Sequence, residues 1–413
     1  MSIILLHLIR RAGAFAALMT VSAAPMRAQL PVTRAEASRA ALAAGTRVAL
    51  ARADTAAALA RVLSARALPN PSLSASYTRS APSKHVTLDI PIFDALRTRG
   101  LRVGQADASV RAARLLYASE RIAALVEVDT TYTVALAAQA RFRLSRQTAL
   151  DADSLSRMAT RRRDAGDASD LDVDLATVVA GQQHNVASAD STAFMSALLT
   201  VQLLMGIPAD SIAITLADSL RFVPRDTLTV ARALADSAGA VPAVAAAEAN
   251  LAAADMAVAL QRRATFALPS LTVGVEFGDD ADPGLLPVIG FAVPLPIFDR
   301  NRGPIAEAQA ERERARVQLL AARLEARRRV IEGVRERAML IAQIARDSDL
   351  VVRADRVAQR SLTAYREGAS ALPAVLEARR SAREVLGQYI DDVAALTILE
   401  TELRALTQTV RVP

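Results

Sequence analysis

The chain contains no cysteine and no tryptophan, and Lys84 is the only lysine among its 50 basic residues. The missing cysteines exclude a disulfide framework, a thiolate-ligated metal, thiol chemistry and a lipid-modified N-terminal cysteine. Aromatics make up 3% of the residues although hydrophobic residues make up 52%, so much of the apolar content is alanine. Alanine mixed with Arg, Leu and Glu favours long helices whose surfaces approach closely. Histidine is scarce as well: beyond the first segment only His85 and His184 remain, far apart, and each reads as a surface or packing residue. No P-loop, HExxH or Gly-x-Ser-x-Gly motif occurs, so an enzymatic activity, a cofactor and a metal site are not expected. Arginine in place of lysine reads as the mark of a GC-rich genome.

The first segment reads as an export signal over residues 1–28, with Arg10 and Arg11, an apolar small-residue stretch from Ala12 to Ala24, and cleavage after Ala28. The apolar residues before Arg10 are unusual for a signal; a start codon assigned too early or a twin-arginine signal accounts for them. Removing 1–28 takes away Arg10, Arg11 and Arg27 and no acid, so the net charge falls from +7 to +4. That excess is interleaved with acids along helices and makes no case for nucleic acid. After the signal no apolar run of about 18 residues occurs, so no spanning helix is expected. A membrane-crossing part would have to be strands closed into a barrel.

What the chain does contain, it contains twice. Pro91-Ile92-Phe93-Asp94 recurs as Pro296-Ile297-Phe298-Asp299, Gly166 recurs as Gly368, and Leu73 of LPNPSL recurs as Leu271 of LPSL. The three landmarks keep their order and nearly their spacing, which marks a duplication. The organisation expected is a first repeat over 29–206, an irregular linker over 207–242 and a second repeat over 243–410. Each repeat is read as a helix, a β-hairpin (72–92 and 270–295), a long helix and a return helix. The first helix is expected over 34–67. No Gly or Pro lies between Gly104 and Gly166, and Val103, Ala106, Val110, Ala113 and Tyr117 keep a 3-4 spacing. In the second copy Ile331, Val334, Ala338, Ile341 and Ala345 are expected to form the corresponding seam. Asp170 is read as the N-cap of the first return helix.

The hairpin segments alternate apolar and polar residues and are near the length of a tilted transmembrane strand. Leu88, Val273, Val275 and Phe291 are candidates for lipid contact. Four strands cannot close a barrel, and an open sheet leaves both edges unsatisfied in lipid. Several chains must contribute; three would give 12 strands. The corner motif reads physically as strand-ending Pro91 and Pro296, interfacial Phe93 and Phe298, and Asp94 and Asp299 set just before the long helices to cap them.

On the duplicated Pro-Ile-Phe-Asp corner, Tyr365-x-x-Gly368 and Leu68-Pro69-Asn70-Pro71-Ser72-Leu73, essentially the whole mature chain resembles the TolC-like outer-membrane efflux proteins, heavy-metal branch. The resemblance implies a mainly α fold with a small β part: a homotrimer with a 12-stranded outer-membrane barrel continued by a long periplasmic α-helical barrel. It implies a passive exit duct for drugs or metal ions, served by a periplasmic adaptor and an inner-membrane pump of the RND type. It places Gly166 and Gly368 at the periplasmic tips where the adaptor docks, and Tyr365, Asp172 and Glu377 at the constriction, with Tyr365 bonded to Asp172. Ala374 and Ser370 depart from the family pattern there. Two other functions stand as alternatives. A type I protein-secretion duct differs in cargo; a periplasmic coiled-coil adaptor or scaffold leaves the four strands and both corners unexplained.

Overall fold

The computed structural model describes residues 30–210, 213–221, 241–265, 268–278, 284–293 and 295–407. The expected signal 1–28, part of the linker and the turn residues Asp279, Asp280, Asp282 and Pro283 lie outside the described residues. Chain order is β1 (Leu30–Val32), α1 (Arg34–Ala44), α2 (Thr46–Arg66), β2 (Ser72–Tyr77), β3 (Lys84–Ile90), α3 (Ile92–Asp164) and α4 (Asp170–Leu204). There follow β4 (Ile214–Leu216), α5 (Pro242–Arg263), β5 (Ser270–Phe277), β6 (Leu286–Ala292), α6 (Arg302–Arg366) and α7 (Leu372–Thr407). The single helix expected over 34–67 is two, broken at Gly45, where the backbone becomes extended. The linker holds a strand too short to read from sequence: β4 pairs in parallel with β1, Leu30 opposite Ile214.

The 73 residues of α3 span about 110 Å at ~1.5 Å per residue. α4 and α7 flank α3, and α6 packs on the far side of α7, giving a layer ordered α4-α3-α7-α6. Toward the sheet α2 packs on α3, where Ala58 and Val62 meet Ala106 and Val110. α5 is long and apolar enough to cross a membrane by length and composition, which the search for uninterrupted apolar runs missed. It sits between α3 and α6, seats Val244 and Val258 in the interior, and pairs Glu248 with Arg323 at 2.7 Å.

The four-stranded sheet is ordered β2-β3-β5-β6 and antiparallel throughout. Its register puts Leu73, Leu88, Val273 and Ile289 in one row across the sheet. Because side chains alternate along a strand, Val86, Ile90, Leu271, Val275, Phe277 and Phe291 share that face. The opposite face carries Ser74, Thr87, Asp89, Thr272 and Glu276, tied by Ser74–Thr87 at 2.7 Å, Thr272–Asp89 at 3.1 Å and His85–Glu276 at 3.0 Å. The sheet is thus apolar on one side and polar on the other, and β2 and β6 each leave one edge free among the described residues.

The α6 seam differs from the one expected. Ile331, Val334, Ala338 and Ala345 are exposed while Ile341 packs on the α6–α7 cluster as expected, and the positions turned inward are Ala326, Val330, Gly333, Arg337, Leu340, Ile344 and Asp347. Those positions step 4-3-4-3-4-3, as a packed helix requires. A search for apolar residues alone fixed on the wrong stripe, because the true one contains a glycine, an arginine and an aspartate. Arg337 is neutralised by Glu400 of α7 at 3.0 Å, both side chains largely buried.

Asp129 of α3 stands at the junction of both repeats. It accepts from Arg34 Nη1 of α1 at 2.7 Å and from Thr401 Oγ1 of α7. One turn on, the Tyr132 hydroxyl donates to Val32 O at 2.8 Å and to Asp218 Oδ2 at 3.0 Å, and Asp218 also accepts from Arg34 N at 2.8 Å. Burial and the bond to Asp218 push the Tyr132 phenol up to about 12. Asp129→Ala strands a half-buried guanidinium, and a bond to a charged group is worth about 1.5–3 kcal/mol. The expected loss is of that size in denaturant unfolding of the detergent-extracted protein. Asp129→Asn, which keeps an acceptor, should lose less.

Candidate functional site

The two helical hairpins end in turns of the same construction. At the first, Gly166 has φ 82 and Asp167 N donates to Arg162 O at 2.7 Å; at the second, Gly368 has φ 77 and Ala369 N donates to Ala364 O at 2.8 Å. Both close α3 and α6 with a Schellman bond that needs a left-handed residue, which is why glycine stands at each. The chain then re-enters a helix differently in the two copies. Ser169, not Asp170, is the N-cap of α4. Ser169 Oγ accepts from Asp172 N at 3.2 Å, while Asp172 Oδ2 accepts from Ser169 N at 3.2 Å and from its hydroxyl at 3.0 Å. The equivalents in the second copy, at the offset of Gly166 and Gly368, are Ala371 and Ala374. The capping box is therefore lost as a unit, and Ala374 is half of that loss.

Tyr365 is 3% exposed and packs with Leu155, Ala159, Ala176, Leu372 and Val375, a cluster that joins all four long helices at the tip. The expected bond from its hydroxyl to Asp172 is not formed: the Asp172 carboxylate is occupied by Ser169, and the Tyr365 hydroxyl is buried without a partner among the described residues. Burial pushes the phenol upward, with Arg162 opposing and Asp172 adding to the rise. The contact present instead is made by Arg162. Its guanidinium lies 4.7 Å from the Tyr365 ring centroid, Nη1 donates to Tyr365 O, and Nη2 donates to Asp167 O at 3.3 Å. One side chain thus spans both turns. In the sequence it was hidden in the run Arg161-Arg162-Arg163, where nothing distinguishes the middle residue.

Glu377 is exposed on α7 and lines an open groove between the two hairpins with Leu155, Val179, Gln183, Leu362 and Arg383. Across that groove Arg379 pairs with Asp151 of α3 at 3.3 Å, and Arg383 Nη1 donates to Gln183 of α4. Among the described residues no group of three or more His, Asp or Glu converges as a metal site; His184 pairs with Asp153 at 3.0 Å.

The duplicated corners, equal in sequence, differ in structure. In the first copy the helix starts at Ile92, so Pro91 is its N-cap residue and Asp94 falls inside the first turn instead of before it. In the second copy the helix waits until Arg302, and Asp299 accepts from Asn301 N at 2.8 Å, forming a turn rather than a helix cap. Asn301, at φ 57, donates its amide to Gln261 O at 2.7 Å. The cause is Pro304. A proline is tolerated in the first turn but clashes deeper in a helix, so α6 cannot begin where α3 does. The residue equivalent to Pro304 in the first copy is Arg99. Phe93 is partly exposed and Phe298 wholly so.

The outer membrane efflux protein family matches residues 37–206 and 234–408. The chain is 28% identical over 276 residues to the cobalt-zinc-cadmium resistance protein CzcC of Cupriavidus metallidurans, covering 65% of this chain and 64% of CzcC. It is 28% identical over 302 residues to the pyoverdine export outer membrane protein OpmQ of Pseudomonas putida, covering 68% of this chain and 61% of OpmQ. Each match thus spans less than two thirds of the relative. Among solved structures, the outer membrane protein VceC of Vibrio cholerae has the same fold, with TM-score 0.74 at 17% identity over 91% of this chain and 96% of that one.

Arg162 can be tested directly. Arg162→Ala removes the ring contact and both bridging bonds, so the turns at 163–172 and 364–372 should exchange amide hydrogens about tenfold faster, the equivalent of ~1.4 kcal/mol. Tyr365→Phe, which removes only an unpartnered hydroxyl, should leave exchange there unchanged. Hydrogen-exchange mass spectrometry reads both.

Proposed function

The chain belongs to the outer membrane efflux protein family, and we propose that three copies form a passive exit duct through the outer membrane. The observation that carries this reading is the pair of unfinished edges. The sheet has one apolar face, suited to lipid, and one polar face, suited to a water-filled lumen, but it stops at β2 and β6. The helical layer likewise stops at α4 and α6, whose outer sides expose Leu171, Leu175, Val178, Leu199, Ile331 and Val334. Both layers are completed by the same head-to-tail contact with another copy, and a heterologous contact leaves no free edge only where its rotation closes a ring. Three copies give 12 strands, an even number suited to an outer-membrane barrel.

The helices form the periplasmic part of the duct. Residues 29–206 and 243–410 are its two repeats, joined by 207–242, and 1–28 is lost on export. The corner residues Pro91, Phe93, Asp94, Pro296, Phe298 and Asp299 mark the passage from barrel to helices. The tips at Gly166 and Gly368 are the adaptor-docking end, and Tyr365, Asp172 and Glu377 lie at the constriction, Glu377 contributing one carboxylate per copy to an anionic ring. An RND-type pump in the inner membrane supplies the energy. The names of CzcC and OpmQ, cobalt-zinc-cadmium resistance and pyoverdine export, favour small cargo such as metal ions, their complexes or drugs.

The natural absence of cysteine gives a clean test of the ring. Ser74→Cys on β2 combined with Val288→Cys on β6 places thiols on the polar face of both free edges. A thiol crosslinker should convert the double variant in native membranes to dimers and trimers and to nothing larger. Exclusively monomeric product would sink the reading.

The apolar face has its own test. Val273→Arg should cost about 2–4 kcal/mol if the side chain meets the bilayer near its midplane, read as loss of the protein from the outer-membrane fraction. Thr272→Arg, on the polar face, should be tolerated.

A further inference from the structure

Midway along α6 and α7 the seam between the two helices carries two carboxyl groups where apolar side chains are the rule. Asp347 follows Ile344 by three positions on α6, and Asp392 precedes Val393 on α7; Ile344, Val393 and Leu396 form a buried cluster there. Asp392 is 5% exposed. Gln388 Nε2 donates to Asp392 Oδ1 at 2.9 Å. The antiparallel register that sets Arg337 against Glu400 and Ile344 against Val393 brings Asp347 to the level of Asp392 in the seam. Asp347 Oδ2 and Asp392 Oδ2 are buried with no donor facing them among the described residues. Two ionised carboxylates in that position would repel with nothing between them.

The surrounding charges offer no relief. On α3, Arg141 is held by Asp391. On α6, Arg337 is held by Glu400, while Arg346 and Asp349 are exposed. On α7, Arg383 is bonded to Gln183 and Glu384 to Arg380, and Tyr389 packs on the apolar cluster. From the linker, Leu220 reaches the cluster and Arg221 turns to Ser219. Among the described residues neither carboxylate has an ion-pair partner.

We propose that Asp392 keeps its proton at neutral pH and donates it to Asp347, and that this bond fastens α6 to α7. One carboxyl O–H donates to an oxygen of the other; on deprotonation the proton leaves to solvent and two like charges remain in contact. Burial, then the Asp347 carboxyl, pushes Asp392 above the ordinary aspartate range, against the pull of Gln388 and Gln343. A carboxyl raised in the folded state stabilises the fold fully below the unfolded value of about 4. That contribution is lost as pH rises through the folded value. Alkali should therefore loosen α6 from α7.

The test uses the full chain extracted in detergent. Infrared spectra at about pH 7 should show the carbonyl stretch of a protonated carboxylic acid in the wild type and lose it in Asp392→Asn. Asp347→Asn, which removes the other half, should lose the same band. Helix melting followed between about pH 5 and about pH 9 should fall with pH more steeply in the wild type than in either variant. Absence of the band from the wild type overturns the proposal by itself, even if both variants fail to fold. Persistence of the band in both variants, or equal pH slopes in all three proteins, overturns it as well.

Discussion

A strand in hydrocarbon has nowhere to place an unpaired N–H or C=O, and this one constraint governs the molecule. The sheet β2-β3-β5-β6 ends at two free edges among the described residues, so alone it would be costly in a bilayer. The polar face makes the point sharper. Asp89, Thr272, Ser270 and the His85–Glu276 pair bond to one another across strands, an arrangement that suits water and not lipid. A sheet that is lipid-suited on one side, water-suited on the other and unfinished at both ends is what the proposed barrel asks of each copy. The helical layer below it fits the same proposal for a different reason: its end helices α4 and α6 bear apolar residues on sides that nothing among the described residues covers.

How much of this was legible in the sequence depended on whether a signal was periodic or local. The alternating strands and the breaker-free helices were readable because periodicity accumulates over many residues, and strand positions Ser270–Phe277 and helix α7 fall close to where the pattern puts them. The α6 seam was not, since its inward positions include Gly333, Arg337 and Asp347 and break the apolar pattern that was sought. β1 and β4 were invisible for want of length: three residues carry no period. The corners misled in the opposite sense. Four identical residues suggested identical structure, whereas Pro304, five positions downstream of Asp299, decides where the second helix starts.

The tip was half legible. Both glycines announced the turns because only a left-handed residue completes the Schellman bond. The contact between the turns was not announced, because it is a long-range one. Arg162 reaches a residue 203 positions away, and its stacking on Tyr365 belongs to the packing of four helices, not to any local motif. Asp172 was assigned outward to the tyrosine when its nearest obligation was inward, to the free N–H groups of its own helix.

Long alanine-rich helices with a 3-4 repeat pack nearly as well after sliding by one repeat, so apolar spacing alone does not fix their register. The polar groups buried between these helices supply what the apolar ones lack. Arg337 with Glu400 joins α6 to α7, and Asp347 and Asp392 are buried farther along the same seam. Shifting α7 by one heptad would leave a guanidinium or a carboxylate facing alanine or leucine, and an uncompensated buried charge costs about 3–5 kcal/mol. The Arg337 and Glu400 side chains contribute little stability of their own by the same reasoning, because their desolvation offsets their attraction. Their effect is to make every other alignment worse. In a molecule whose two hairpin tips must arrive at the same height for Arg162 to span them, that penalty on wrong registers carries more weight than any gain in the right one.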